Sequence, residues 1–321
     1  MSAVGPGAGT PPQPSEPMSA RSRRREQPPG MSNQNHPTIA VTGATGALGG
    51  TIAKRLAARE ASQLLVARDP ARLPELPGAL HRGPATYDDT AAMRDALRGA
   101  STLVLISSHP TGKRPEEHAS AVRAAMDVGV DRVLYVSLIG AGPTATYRNA
   151  RDHWLTEQFL AGSGVRHTIL RSGLYATTPA ALADDELLVR GPGGDGRAAF
   201  VTHDDIAEVI ATVALDESTE HDGRILDVTG PEALTLAEMV GAIAVSTGKP
   251  YRYEPETLER AFARRWELGV SGTQIEAWLS WYQAIAGGEL AAVTDVVPRV
   301  TGSPATPVSR MDWWPAPDSA R

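Results

Sequence analysis

The 321-residue sequence contains no cysteine. Disulfides, thiolate nucleophiles, cysteine zinc sites and iron–sulfur clusters are therefore excluded. Aromatic residues are scarce, at 5% of the chain, and no run approaches the roughly 18 apolar residues of a membrane span. Basic residues are not in excess, because 31 Lys and Arg stand against 37 Asp and Glu. A nucleic-acid-binding domain is normally strongly basic, so we expect neither a nucleic-acid nor a membrane partner.

The first 36 residues lack the side chains from which a core is built. They contain seven Pro and four Gly but no Leu, Ile, Phe, Tyr or Trp. Such a segment cannot offset the entropy lost on ordering, so a disordered tail is predicted over residues 1–36. Residues 22–25 resemble a twin-arginine export signal, but no apolar stretch follows them. A cytoplasmic protein is therefore expected.

The next part of the chain alternates short apolar runs with helical patterns. Continuous apolar runs are typical of strands buried on both faces. They lie at residues 38–41, 63–67, 103–106, 133–136 and 168–170, with a weaker run near Leu80. Strand–helix alternation predicts an α/β fold, a doubly wound, Rossmann-type parallel sheet with helices on both faces. We assign it to residues 37–175.

Residues 176–321 are predicted to form a smaller, mostly helical, substrate-covering lobe. Apolar residues recur there at the i, i+3, i+4, i+7 spacing of helices with one buried face. Residues 223–230 predict another strand, so some strands return to the sheet and the boundary is blurred. The aromatic stripe at residues 278–285 also has helical spacing, and it either packs a core or caps a hydrophobic substrate.

A glycine-rich segment directly follows the first predicted strand and opens the first predicted helix. Gly43 permits a tight turn, Gly46 lets backbone N–H groups approach a pyrophosphate, and Gly49 allows close helix–sheet packing. The positive end of the helix dipole then faces the phosphates. In this strand–loop–helix context the loop predicts a dinucleotide site. The predicted contacts are Gly43, Thr45, Gly46, Ala47, Leu48 and Gly49.

Arg68 closes the second predicted strand, where dinucleotide-binding folds contact the adenosine ribose. Arginine suits the 2′-phosphate of NADP, whereas an acidic residue favours the 2′-hydroxyl of NAD. Asp69 follows, but Asp69-Pro70 is also typical of a helix N-cap followed by proline. The predicted cofactor is therefore NADPH, with NADH as the alternative.

Other candidates follow from their positions at strand ends. Tyr87 follows the third strand and is expected to flank adenine. Ser107 and Ser108 end the fourth strand, and are expected near the nicotinamide ribose or the pyrophosphate. The histidines at 118, 203 and 221 lack metal-ligand spacing, so they are interpreted as structural or exposed and no metal site is predicted.

Several segments between residues 38 and 310 match one known group of proteins. They are the loop 42–50, Arg68, residues 83–89, 117–118, 133–137, 152–157 and 163–171. With them the chain resembles the NmrA-like group of atypical short-chain dehydrogenases. The pattern His153…Glu157 and Tyr175 are most similar to type-2 NAD(P)H:quinone oxidoreductases and azoreductase-related proteins. The resemblance implies a Rossmann-type domain, NADPH binding and two-electron reduction of quinones.

The catalytic residues depart from the ordinary short-chain pattern. That pattern uses Ser with a Tyr and Lys four residues apart, and the lysine lowers the tyrosine pKa. Here Ser137 ends the fifth strand, and Tyr147 precedes Arg151 in a predicted loop. The resemblance instead places His153 at the lysine position. Tyr147 with Arg151 is either an acid pair or part of a partly exposed loop.

Quinone reduction does not require such a pair. A reduced quinone anion protonates readily, so the protein must mainly orient the reactants and offer a donor to the developing oxyanion. Ser137 and His153 are the candidates for orienting both cofactor and acceptor, with His153 also expected to contact the cofactor and Glu157 expected to orient His153. His153 either donates a proton or only packs and hydrogen-bonds. Tyr175, past the sixth strand, lines the substrate pocket or belongs to the core.

Two functions are compatible with this pattern. The first is an NADPH-dependent oxidoreductase that transfers hydride to a quinone or similar small electrophilic acceptor. It would use no metal and is compatible with a homodimer. The alternative is an NmrA-like sensor that binds NAD(P) and a protein partner without turnover. Loss of the Tyr/Lys pair fits both functions.

Overall fold

The computed structural model describes residues 38–108 and 111–311, together with Met1, Ser2 and Gly5. The chain divides into two compact units, Met1–Asn35 and His36–Arg321. Apart from the three residues just named, the tail predicted over residues 1–36 lies outside the described residues. Within the described part, no helix has the length and apolar character to cross a membrane.

Seven parallel strands form the central sheet. In spatial order they are β10 (Ile225–Val228), β6 (Arg166–Ser172), β5 (Arg132–Leu138), β4 (Thr102–Ile106), β1 (Ile39–Thr42), β2 (Gln63–Val66) and β3 (Ala79–Arg82). The predicted apolar runs coincide with these strands to within a few residues, which confirms the doubly wound α/β fold. The strand order reverses between β1 and β4, and ligands bind at the carboxyl ends of strands beside such a reversal.

Helices cover both faces of the sheet and build the C-terminal part. They are α1 (Ala47–Ala57), α2 (Thr90–Leu97), α3 (Arg114–Asp127), α4 (Arg148–Ser163), α5 (Thr178–Ala181), α6 (His203–Leu215), α7 (Leu236–Thr247), α8 (Leu258–Glu267), α9 (Gly272–Ala286) and α10 (Val296–Thr301). Short 3₁₀ helices lie at Pro70–Arg72 and Val308–Arg310. Tyr147 and Arg151 therefore do not share a loop, because α4 begins at Arg148.

The sheet is buried on both faces because successive strand residues point to opposite sides. Ile39 and Val41 pack in a core with residues of α1 and α6, whereas Ala40 packs in a second core with residues of α2, α3 and α4. Tyr135 of β5 belongs to that second core. Ser137 lies two residues further on, so the alternation places it on the same face, beneath α4.

Residues after 173 form two small sheets of their own. One contains β7 (Leu174–Tyr175), β9 (Arg197–Val201) and β11 (Ala233–Thr235), and the other pairs β8 (Leu188–Gly191) with β12 (Arg252–Pro255). The strand predicted over residues 223–230 is confirmed as β10, which returns to the central sheet. The domain boundary at residue 175 stays a prediction.

The aromatic stripe of α9 packs a core. Tyr282 and Ile285 are fully buried, and Trp281 is nearly so, in a cluster with residues of α7 and β9. The interpretation of this stripe as core is therefore confirmed.

Candidate active site

The glycine loop between β1 and α1 has the predicted shape. Gly43 adopts a left-handed backbone with φ of +67°, and its carbonyl accepts a hydrogen bond from Gly46 N–H at 2.9 Å. A Cβ at Gly49 would lie 2.3 Å from Gly43 O, so only glycine lets α1 approach the loop this closely. Both features are backbone requirements that a larger residue does not meet.

The start of α1 offers backbone donors to a ligand. Gly46 caps the helix without a side-chain hydrogen bond, and the N–H groups of Ala47, Leu48 and Gly49 have no acceptor in helical register. Thr45, Gly46 and Ala47 are exposed. Free donors at the positive end of a helix dipole suit a diphosphate. The residues present therefore fit a dinucleotide cofactor.

Arg68 and Asp69 follow β2 and have different environments. Asp69 Oδ1 accepts a hydrogen bond from Ala71 N–H at 3.1 Å and caps the helix Pro70–Arg72, which confirms its predicted capping role. Arg68 is exposed. Burial raises the pKa of Tyr87, and the nearby Arg68 cation partly offsets that rise. Two residues predicted to contact the adenosine half of the cofactor thus lie near each other.

Tyr87 is fixed at the carboxyl ends of β1 and β4. Its hydroxyl donates to Ile106 O at 2.6 Å and lies 2.7 Å from Thr42 Oγ1. Its ring meets the His118 ring edge-on at 5.7 Å between centroids. The hydroxyl is therefore occupied within the protein, and the ring is the part of Tyr87 that remains for the predicted contact with adenine.

A buried group of aromatic and imidazole side chains lies between β5, α3 and α4. We call His118, Tyr135 and His153 the His–Tyr cluster. Tyr135 Oη lies 2.8 Å from His153 Nδ1 and 3.3 Å from His118 Nδ1. His118 and Tyr135 are fully buried, and His153 is nearly so. Burial lowers the pKa of His118 to about 3 and that of His153 well below its ordinary value, and in both cases the Arg114 cation adds to the effect.

Hydrogen-bond direction limits where the protons of this cluster reside. Ser108 N–H donates to His118 Nε2 at 3.3 Å, so the proton of neutral His118 resides on Nδ1 and points to Thr156 Oγ1 and Tyr135 Oη. Tyr135 Oη can accept this hydrogen bond and donate its own proton to His153 Nδ1. In that arrangement His153 carries its proton on Nε2. Among the described residues, none accepts a hydrogen bond from that nitrogen.

Ser137 and Glu157 form a separate polar group at the end of β5. Ser137 Oγ donates to Glu157 Oε1 at 2.5 Å. Arg171 holds both Glu157 oxygens, through Nε at 2.8 Å and Nη2 at 2.6 Å. The prediction that Glu157 orients His153 is therefore wrong. Tyr135 contacts His153 Nδ1 instead, and Glu157 pairs with Arg171 of β6. The one proton of Ser137 is committed to Glu157, which leaves its oxygen to accept from a ligand.

The structure separates Tyr147 from the Arg151 cation. Arg151 Nε donates to Ala145 O at 2.6 Å, and Tyr147 Oη accepts from Asn149 Nδ2 at 2.8 Å. Burial raises the pKa of Tyr147, opposite to what an acid pair requires, although Asn149 and Arg114 partly offset it. A catalytic role for Tyr147 stays a prediction without support from Arg151.

The remaining predicted residues lie at the same edge of the sheet. Ser107 and Ser108 directly follow β4, and Ser108 Oγ donates to Glu117 Oε2 at 3.2 Å. Tyr175 is half-buried, and its ring stacks on His203 with 4.5 Å between centroids. A stack of two half-buried rings beside this edge of the sheet is compatible with a planar ligand.

Sequence reasoning missed the partners that support His153. Tyr135 lies inside an apolar run, and its position two residues before Ser137 was the available signal that both share one face. His118 was interpreted as structural or exposed, and the structure shows it fully buried with hydrogen bonds through both nitrogens. Arg171 gave no local signal for its pairing with Glu157, because the two lie on different elements.

Comparison with known proteins places the chain in a family. A family model described as NAD(P)H-binding matches residues 43–217, more than half of the chain. The chain belongs to this NAD(P)H-binding family. The match begins at Gly43 and includes the whole loop predicted to hold the dinucleotide.

Individual relatives refine this membership. Quinone oxidoreductase 2 of Escherichia coli is 35% identical over 224 residues, 67% of this chain and 77% of that protein. The crystal structure of the E. coli NADPH-dependent quinone oxidoreductase complexed with NADPH superposes with a TM-score of 0.75 at 30% identity, over 84% of this chain and 97% of that one. A Streptomyces griseus (4-alkanoyl-5-oxo-2,5-dihydrofuran-3-yl)methyl phosphate reductase is 32% identical over 282 residues, 86% of this chain and 96% of that protein.

A further structure has the same fold at low identity. NmrA, a negative transcriptional regulator in complex with NAD, gives a TM-score of 0.70 at 14% identity over 86% of this chain and 94% of that one. Together the comparisons confirm the resemblance to the NmrA-like group.

Replacing Gly49 with alanine tests the dinucleotide loop. The added Cβ would lie 2.3 Å from Gly43 O, so the loop must shift and NADPH affinity is expected to fall about tenfold or more. Gly162→Ala is the matched control, because a Cβ at this helical position meets nothing within 4 Å. Fluorescence titration with NADPH measures both. Equal dissociation constants for Gly49→Ala and the wild type would contradict the assignment.

The buried histidines predict a pH-dependent stability. His118, His153 and His203 have lowered pKa values in the folded state through burial, so they bind fewer protons than in the unfolded chain. Their contribution is complete above the ordinary histidine pKa and is lost as the pH falls below it. We expect a loss of about 1 kcal/mol per fully buried histidine between about pH 6.5 and 5.5.

Urea unfolding at several pH values measures this effect. The His118→Gln variant is expected to show a shallower fall than the wild type, because one of the neutral imidazoles is gone. If the free energy of unfolding falls equally steeply with pH in His118→Gln and in the wild type, this histidine does not gain a proton on unfolding.

Proposed function

We propose that the protein is an NADPH-dependent oxidoreductase that transfers hydride to a quinone or a similar small electrophilic acceptor. One observation carries the proposal: a dinucleotide cradle and a neutral imidazole lie at the same edge of the sheet. The imidazole is that of His153, and the cradle is the loop from Gly43 to Gly49. A Tyr/Lys acid pair is not needed for this reaction, because the reduced acceptor is a stabilised anion.

The chain's own residues divide the work of binding and proton transfer. Bound NADPH supplies the hydride from its nicotinamide ring. The loop from Gly43 to Gly49 would hold the diphosphate, and Arg68 the 2′-phosphate. Ser137 accepts a hydrogen bond, because its proton is held by Glu157 at 2.5 Å. A carboxamide N–H group is the kind of donor that suits it.

His153 supplies the donor for the acceptor's oxygen. When Nδ1 accepts from the Tyr135 hydroxyl, the proton of His153 resides on Nε2 and is available to an oxyanion that develops as hydride arrives. Because burial and the Arg114 cation hold the pKa of this imidazole low, His153 is neutral at physiological pH. It acts as a hydrogen-bond donor, and the stabilised product anion can take its final proton from water.

The relatives support an acceptor with a conjugated carbonyl. One is named a quinone oxidoreductase, and the other reduces an alkanoyl dihydrofuranone phosphate. In both named substrates a carbon–carbon double bond is conjugated to carbonyl groups, so hydride addition gives an oxygen-centred anion. The stacked surface of Tyr175 and His203 fits a planar compound of this kind.

His153→Phe tests the role of this histidine in turnover. The ring volume is retained while the Nε2 donor is lost, so kcat with 1,4-naphthoquinone is expected to fall about 10- to 100-fold, with little change in NADPH affinity. His167→Phe is the control, because His167 lies near the amino end of β6, away from the cluster. Loss of NADPH absorbance at saturating quinone measures both variants.

The same assay tests the function itself. The wild type is expected to oxidise NADPH only when an acceptor is added. Tight NADPH binding with no oxidation by a panel of quinones and enones would contradict the proposal and favour the non-catalytic sensor.

Arg68→Ala tests the preference for NADPH. Loss of a charge-assisted hydrogen bond to the 2′-phosphate costs about 2 kcal/mol, so NADPH affinity is expected to fall roughly 30-fold while NADH affinity is unchanged. Arg72→Ala is the control, because it removes an equal charge from the adjoining helix Pro70–Arg72. An equal loss of affinity for NADPH and NADH would show that Arg68 does not bind the 2′-phosphate.

A further inference from the structure

Arg114, the first residue of α3, is a buried cation whose charge is poorly neutralised by neighbouring groups. Its side chain is 3% exposed, and the nearest carboxylate oxygen, Asp152 Oδ2, lies 3.5 Å from Nη1. Nε and Nη1 are enclosed and lack a hydrogen-bond partner. Within residues 38–108 and 111–311, no oxygen accepts a hydrogen bond from this guanidinium.

The contrast with Arg171 shows how unusual this arrangement is. The half-buried Arg171 is bound at two nitrogens by Glu157, at 2.8 and 2.6 Å, which is the normal way to neutralise a guanidinium that is largely removed from water. Enclosing a charge without such pairing is strongly unfavourable. Arg114 therefore retains most of its capacity to bind an anion.

Arg114 also lies beside the proposed reaction site. It precedes His118 by one turn on the buried side of α3, and its charge lowers the pKa of both His118 and His153, after the larger effect of burial. The start of α3 follows the carboxyl end of β4, the edge at which doubly wound sheets bind ligands. Asp152 is one-third exposed, so the carboxylate nearest this guanidinium is accessible from solvent.

We propose that Arg114 binds an anionic substituent of the electron acceptor, a carboxylate, sulfonate or phosphate, beside the ring that receives the hydride. The anion takes the position next to Nη1 that Asp152 Oδ2 occupies at 3.5 Å. The proposal rests on the proposed function, because it names the acceptor class of the same site. The enzyme then prefers an acceptor that carries a negative charge over its neutral analogue.

The first experiment compares two acceptors, 1,4-naphthoquinone and its 2-sulfonate. The ratio of their kcat/KM values is measured in the wild type and in Arg114→Met, so that intrinsic differences between the acceptors cancel. Arg114→Met is expected to lower the sulfonate-to-neutral ratio about tenfold or more. Arg148→Met is the control, because Arg148 is an exposed arginine paired with Glu276 at 2.6 Å. An unchanged ratio in Arg114→Met overturns the proposal.

A second experiment does not depend on turnover. Calorimetric titration of the NADP-saturated protein with naphthalene-2-sulfonate and with 2-naphthol measures the same preference. Asp152→Asn removes the competing carboxylate and is expected to tighten sulfonate binding severalfold, whereas Arg114→Met weakens it and Arg114→Lys retains part of it. Sulfonate binding that none of these variants changes overturns the proposal.

The two experiments separate this proposal from the proposed function. If neither naphthoquinone is reduced but the sulfonate binds in an Arg114-dependent way, the function fails and the anion site stands. If both quinones are reduced and Arg114→Met leaves the ratio of their kcat/KM values unchanged, the proposed function is supported and the anion site is contradicted. Should Arg114→Met not fold, Asp152→Asn and Arg114→Lys still give opposite expected changes.

Discussion

The hydrogen bond from Tyr135 to His153 is the interaction on which the proposed chemistry depends. At the far end of the cluster Ser108 N–H donates to His118 Nε2, which places the proton of neutral His118 on Nδ1. Tyr135 can then accept from His118 and donate to His153 Nδ1, an arrangement that places the proton of His153 on Nε2. Burial keeps both rings neutral.

The topology explains why these groups lie together. All strands of the central sheet run in one direction, so the ends of β1, β4 and β5 meet at one edge and bring the glycine loop, Ser108 and Ser137 to it. The alternation along β5 sends Tyr135 and Ser137 toward α4, where His153 and Glu157 lie one turn apart. The two-residue repeat of the strand and the turn of the helix therefore bring Tyr135 beside His153 and Ser137 beside Glu157.

The sequence predicts the parts of this arrangement that depend on local chemistry. Apolar runs identify the strands, because a strand buried on both faces tolerates little else, and the glycine loop is recognisable because Gly43 and Gly49 meet backbone requirements. Pairings between distant residues are different. Glu157 is one helical turn from His153, which suggested a contact, yet Arg171 reaches it from the neighbouring strand with two hydrogen bonds. His118 gave no signal, because nothing near it in sequence indicates that α3 buries it against Tyr135.

The half-buried Arg171 and the buried Arg114 have opposite consequences for the protein. Arg171 is neutralised by Glu157, and the pair holds the proton of Ser137, so its charge serves to position a neighbouring group. Arg114 has only a distant carboxylate, so burying it costs stability that its contacts within the protein do not recover. Uncompensated buried charge is retained where it interacts with a ligand or tunes a reacting group. Arg114 is placed for both, since its charge adds to burial in keeping His153 neutral and also attracts an anionic acceptor to that histidine.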